Sequence, residues 1–96
     1  MTNEQEIWMN EVKDKIRGYI VENFLFSEDK TLLVDDKSFI DSGILDSTGI
    51  LEIVGFTEEE FGIKVEDDEM IPDNLDSVSR LVGFILRKTG KSDSLY

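Results

Sequence analysis

Between Asn3 and Phe26 apolar side chains recur at three- and four-residue steps: Trp8, Val12, Ile16, Tyr19, Ile20 and Phe24, with Glu11, Lys15, Arg17 and Glu22 between them. That period predicts an amphipathic helix with one face on a core. Gly18 weakens it by about 1 kcal/mol relative to alanine. Trp8 and Tyr19 lie on the apolar stripe, which assigns them to the core rather than to a ligand platform. A second set, Ile50, Leu51, Ile53, Val54 and Phe61, predicts a helix from Ser47 to about Phe61, with Glu52, Glu58, Glu59 and Glu60 facing water. A third, Val78, Leu81, Val82, Ile85 and Leu86, predicts a helix from Val78 to about Lys88. No stretch alternates with the period of a strand, and no repeat is visible.

The ends of these helices carry their own chemistry. Asp46 is an N-cap for the second helix, its carboxylate able to accept from first-turn N–H groups. Leu45 outside it and Ile50 inside it have the spacing of a hydrophobic staple. Gly62 fits a C-cap, and Gly90 follows Arg87 and Lys88 as a stop. Either Asp76 or Ser77 caps the third helix. Gly49 and Gly55 are poor helix residues in the second, tolerable where another group approaches the backbone. The segment Ser27 to Leu45 is a long first loop, expected to be pinned to the core by Leu32-Leu33-Val34 and Phe39-Ile40. A structureless loop of that length in a small domain is often functional. Its Asp35–Asp41 stretch lacks the glycine and the alternating oxygens of a calcium loop. Between Ile63 and Asp76 one helical turn is expected near Asp67 to Met70, ended by Pro72. The sum is an all-α fold: a small four-helix bundle of three main helices and one short one.

With 96 residues the chain makes a single domain, 1–96, its last residues 91–96 a frayed tail. Composition removes whole classes of chemistry. There is no Cys and no His, so no thiolate nucleophile, no disulfide, and neither the usual general base nor the commonest metal ligand. An enzyme would need paired carboxylates in a cleft, whereas these acids read as solvent-exposed; no enzyme activity, catalytic residue or metal site is expected. No apolar run spans a membrane, and the N-terminus lacks the pattern of a signal peptide. The expectation is a cytoplasmic monomer.

The net charge of −12 is concentrated. Twelve of the acids and a single base, Lys64, fall between Ser38 and Ser79. Nucleic acid and anionic membrane surfaces are repelled by such a segment, while a basic protein is drawn to it in a salt-dependent way. Crowded carboxylates also suggest weak binding of divalent cations. Ser47 sits in the middle of this charge, in the first turn of the second helix. Taken alone it is a capping serine. A phosphate joined to it would meet free N–H donors and the positive end of the helix dipole.

Taken together, Gly43-Ile44-Leu45-Asp46-Ser47-Thr48-Gly49-Ile50-Leu51-Glu52-Ile53-Val54, then Glu58-Glu59-Glu60-Phe61-Gly62-Ile63, then Leu75-Asp76-Ser77-Val78 resembles an acyl carrier protein over nearly the whole chain. The resemblance implies that Ser47 receives 4′-phosphopantetheine from coenzyme A through a phosphopantetheinyl transferase. It implies that Asp46 flanks the attachment site, and that Glu52, Glu58, Glu59 and Glu60 form the face that partner enzymes bind. The arm's thiol would hold an acyl or aminoacyl group, which explains how a chain without cysteine serves thioester chemistry. Thr48 stands where fatty-acid carriers usually have Leu, Gly49 where they do not normally have Gly, and Thr57 where an apolar residue usually lines the acyl cavity. The Leu-Asp-Ser-x-Gly form is more similar to D-alanyl and aminoacyl carriers. That variant implies a specialised biosynthetic pathway, with an adenylating ligase for loading and an acyltransferase or synthase downstream. The competing expectation is an acidic helical interaction domain with no prosthetic group, which would tolerate loss of Ser47.

Overall fold

The fold is set by three amphipathic helices whose apolar stripes meet. In the computed structural model, which describes residues 4–25 and 33–90, these are α1 (Glu4–Ile20), α3 (Ser47–Phe61) and α5 (Val78–Thr89), with the short helices α2 (Phe39–Ser42) and α4 (Pro72–Leu75) between them. A 3-10 turn covers Asp67–Glu69. Among the described residues there is no strand, and no helix is long and apolar enough to cross a membrane. The all-α bundle expected from the sequence is therefore present.

The core is built on α1 and α5, which pack against each other. Val12, Ile16 and Ile20 of α1 meet Val78, Leu81, Val82 and Ile85 of α5, with Ile53 and Val54 of α3 closing the third side. After Ile20 the first helix widens into a π-helical turn, Val21–Leu25, rather than continuing as α-helix to Phe26. Ile20 at the end of α1 and Val21 at the start of this turn are both buried. The expected ends of this helix at Asn3 and Phe26, the pin at Leu32 and the frayed tail 91–96 lie outside the described residues.

The described part of the long loop is anchored as expected, by one residue of each apolar cluster. Leu33 and Phe39 are buried, whereas Val34 and Ile40 are exposed. Arg17 donates to the Leu33 carbonyl at 2.6 Å and pairs with Asp35, which Lys13 approaches at 3.3 Å. The Ser79 N–H donates to the Asp35 carbonyl at 2.9 Å. A short helix, α2, then forms where the sequence suggested only loop. Ser38 caps it, accepting from the Asp41 N–H, and Gly43 ends it at φ 78°.

Pro72 corrects another expectation: it does not end a turn but opens α4 from the first helical position, where its missing N–H costs nothing. The choice between Asp76 and Ser77 is also resolved. Ser77 caps α5, its hydroxyl accepting from the Arg80 N–H at 3.0 Å. Asp76 instead turns back to α2, accepting from the Ser38 hydroxyl and, at 3.1 Å, from the Ile40 N–H. The two adjacent residues thus tie the start of α5 to the loop before α3.

Candidate functional site

The start of α3 forms as its local chemistry dictates. Asp46 adopts an extended conformation and its carboxylate accepts from the Gly49 N–H at 2.8 Å, while its carbonyl accepts from the Ile50 N–H at 2.9 Å. Ser47 is the first helical residue and is exposed. Its N–H and that of Thr48 have no hydrogen-bond acceptor among the described residues. Two donors and the positive end of a fifteen-residue helix therefore surround an accessible hydroxyl.

The glycine two places on has a structural cause. A Cβ at Gly49 would lie 3.1 Å from Leu45 Cδ2 and 3.3 Å from Phe24 Cε1. Leu45 and Phe24 pack directly over the backbone there, and the buried Gly49 makes room for them. Further along, Thr57 is fully buried and its hydroxyl donates to the Ile53 carbonyl at 2.7 Å, which satisfies it without a partner outside the helix.

A groove of about 330 Å³ opens beside Ser47, between α2, the first turns of α3 and the segment leading into α4. Ile40, Ile50, Leu51, Met70 and Ile71 make its walls. Leu51, expected on the inner face, is 58% exposed and belongs to the groove rim. Ile40 and Ile71, 47% and 44% exposed, stand on the same rim. Sequence reasoning missed this groove, because its residues come from three separate segments and none carries a local signal.

The acidic face divides. Glu58 is half-buried and its carboxylate accepts from the Val65 N–H at 2.8 Å, holding the chain that leaves α3. Glu60 pairs with Lys15 of α1 at 2.7 Å, and the hydrogen bond from Lys15 to Glu60 pushes the lysine above its ordinary range. Glu52 and Glu59 are exposed and have no such partner among the described residues. They are seven residues apart, two helical turns, so they share one stripe. Thus the expectation that these glutamates face water holds for Glu52, Glu59 and Glu60, while Glu58 is half-buried; contacts from distant segments set Glu58 and Glu60 apart from Glu52 and Glu59. Among the described residues no three or more ligating side chains converge to hold a metal ion.

No family model matches the chain. Curated relatives do. The acyl carrier protein of Zymomonas mobilis is 32% identical over 77 residues, covering 80% of this chain and 94% of that protein. Acyl carrier proteins from two strains of Buchnera aphidicola are each 30% identical over 83 residues, covering 86% of this chain and 99% of theirs. With matches that span almost the full length of those proteins, and a helical bundle of the expected kind around an exposed serine, this chain belongs to the acyl carrier protein family.

Proposed function

We propose that Ser47 is the attachment point of a 4′-phosphopantetheine arm, and that the chain carries an acyl or aminoacyl group to partner enzymes of a specialised biosynthetic pathway in the cytoplasm. Family membership implies such a group on a serine; the assignment to Ser47 is supported by its exposure at the first position of α3. The residues around it suit the group. The unpartnered N–H groups of Ser47 and Thr48 face the needs of a phosphodiester, and the apolar groove suits an arm or cargo lying against the protein. Bound there, the group supplies the thiol that the sequence lacks.

The chain's own residues hold and present rather than transform. Asp46 fixes the first turn of α3 through Gly49, which keeps the Ser47 hydroxyl outward for a phosphopantetheinyl transferase. Carboxylates Glu52 and Glu59 offer charge to basic partners: an adenylating ligase for loading and a synthase or acyltransferase downstream. Glu58 and Glu60 contribute to that field from paired positions. The run Leu45-Asp46-Ser47-Thr48-Gly49 supports a carrier of the D-alanyl or aminoacyl kind over a fatty-acid one.

The observation that carries this reading is an accessible serine hydroxyl at a helix start with free donors beside it. It is tested by incubating the protein with coenzyme A and a broad-specificity transferase. A mass gain of one arm, abolished by Ser47→Ala with the helical content unchanged, is the expected outcome. Continued modification of the Ser47→Ala protein would move the site elsewhere.

A further inference from the structure

The groove beside Ser47 is lined by apolar side chains and by two polar residues, Ser47 itself and Asp76. Asp76 is the one carboxylate among the described residues of that lining, and it is half-buried. Its two oxygens are oriented from α2: one accepts from the Ser38 hydroxyl, the other from the Ile40 N–H at 3.1 Å. Among the described residues no ammonium or guanidinium pairs with it. Arg80, four positions further on, gives its guanidinium to the Pro72 carbonyl at 3.3 Å.

Holding α2 does not require that charge. An asparagine in the same place could accept from the Ile40 N–H through its oxygen and donate to Ser38 Oγ through its nitrogen. The negative charge is therefore surplus to the structural role. Set among apolar walls, it is screened less by water than an exposed carboxylate and gains more from an approaching cation. The neighbouring acids are placed differently. Asp46 is turned to the Gly49 N–H at the start of α3, and the exposed Asp41 and Asp73 are not part of the lining.

We propose that Asp76 receives the ammonium group of an α-aminoacyl cargo, whose short apolar side chain lies against Ile40, Leu51 and Ile71. This rests on the carrier reading, since the cargo comes to the groove from Ser47, which lines it too. At about 330 Å³ the groove is at the small end of ligand sites, which suits a small amino acid. A plain acyl chain of the same shape brings no cation and covers the carboxylate without pairing it, which is unfavourable. Asp76 is thus a specificity-determining residue: it favours aminoacyl over acyl cargo on the same arm.

The test loads the full chain, through a broad-specificity transferase, with two amide-linked coenzyme A analogues. One carries alanyl; the other carries isobutyryl, which has a methyl in place of the ammonium. NMR then reads how far the Ile40, Leu51 and Asp76 amides move from their positions in the protein bearing the arm alone. Alanyl should occupy the groove about two- to five-fold more than isobutyryl, the range for a partly exposed ion pair. Asp76→Asn should bring the two cargoes level. Salt at about 1 M should do the same in the unsubstituted protein, a comparison that needs no variant to fold. Equal shifts from both cargoes at low salt would overturn the assignment. So would a preference that survives in an Asp76→Asn protein of unchanged helical content, or alanyl shifts centred on Asp41, Asp46 or Asp73. Mass spectrometry of the loaded samples separates the two readings. A mass gain without a cargo preference removes the role of Asp76 and leaves the carrier; no mass gain ends both.

Discussion

Helices α3 and α5 are similar in length but used in opposite ways. In α5 the residues Val78, Leu81, Val82, Phe84, Ile85 and Leu86 are all buried, and both ends are closed, by Ser77 and by Gly90 at φ 74°. In α3 only Gly49, Ile53, Val54 and Thr57 are buried; Leu51 is left out, and the free carboxylates of the helix face solvent. One helix is committed to the core. The other gives up part of its packing to keep a serine, an apolar groove and an acidic stripe accessible, as residues that serve binding generally require.

The contrast is sharpest when one side chain is removed from each helix. Ser47→Ala should eliminate arm attachment altogether while moving the melting temperature little, because the Asp46 cap that holds the helix start remains. A large loss of stability in that variant would break the contrast by making Ser47 structural. Ile85→Ala in α5 should cost about 2–5 kcal/mol in chemical denaturation, the range for emptying a fully buried aliphatic site. A cost below that range would mean that the core rests less on α5 than its burial indicates.

Within α3 the two glycines make a finer comparison. Gly49→Ala places a methyl 3.1–3.3 Å from Leu45 and Phe24, so it should destabilise despite the better helix propensity of alanine. Gly55→Ala meets open space and should stabilise by about 0.5–1 kcal/mol. The same sign for both substitutions in urea unfolding would contradict the packing described over Gly49.

The start, end and caps of α3 were legible in the sequence, because capping is decided by residues a few positions apart: Asp46, Gly49 and Gly62 carry it alone. The same holds for the close of α5 at Gly90. Four-residue helices such as α2 are too short to display a period, and Pro72 suits either the end of one turn or the first position of the next. At the candidate site, Ser47 and Asp46 could be picked out locally. The division of the glutamates could not, since it depends on the Val65 N–H and on Lys15, which only the folded chain brings to Glu58 and Glu60. For the same reason the groove from Ile40, Leu51 and Ile71 was hidden.

The smallest expected effect lies in the turn that follows α3. The Glu66 backbone N–H, and then Lys88 at 2.9 Å, hold the Glu69 carboxyl below the usual carboxylate range. The ionised form is favoured by the fold, so this contribution is present at neutral pH and disappears as the pH falls through the lowered value. Lys88→Met should narrow the gap in melting temperature between neutral and acidic buffer by a small margin, since the pair is only half-buried at the surface. An unchanged gap would remove the pair from the stability of the α5 end.

The attachment site itself is tested most directly by fragmenting the modified protein. After treatment with coenzyme A and transferase, tandem mass spectrometry should find one phosphopantetheine on the peptide containing Ser47, with the fragment series assigning it to that residue. Assignment to Ser42, Thr48 or any other hydroxyl, or no addition at all, would contradict the account.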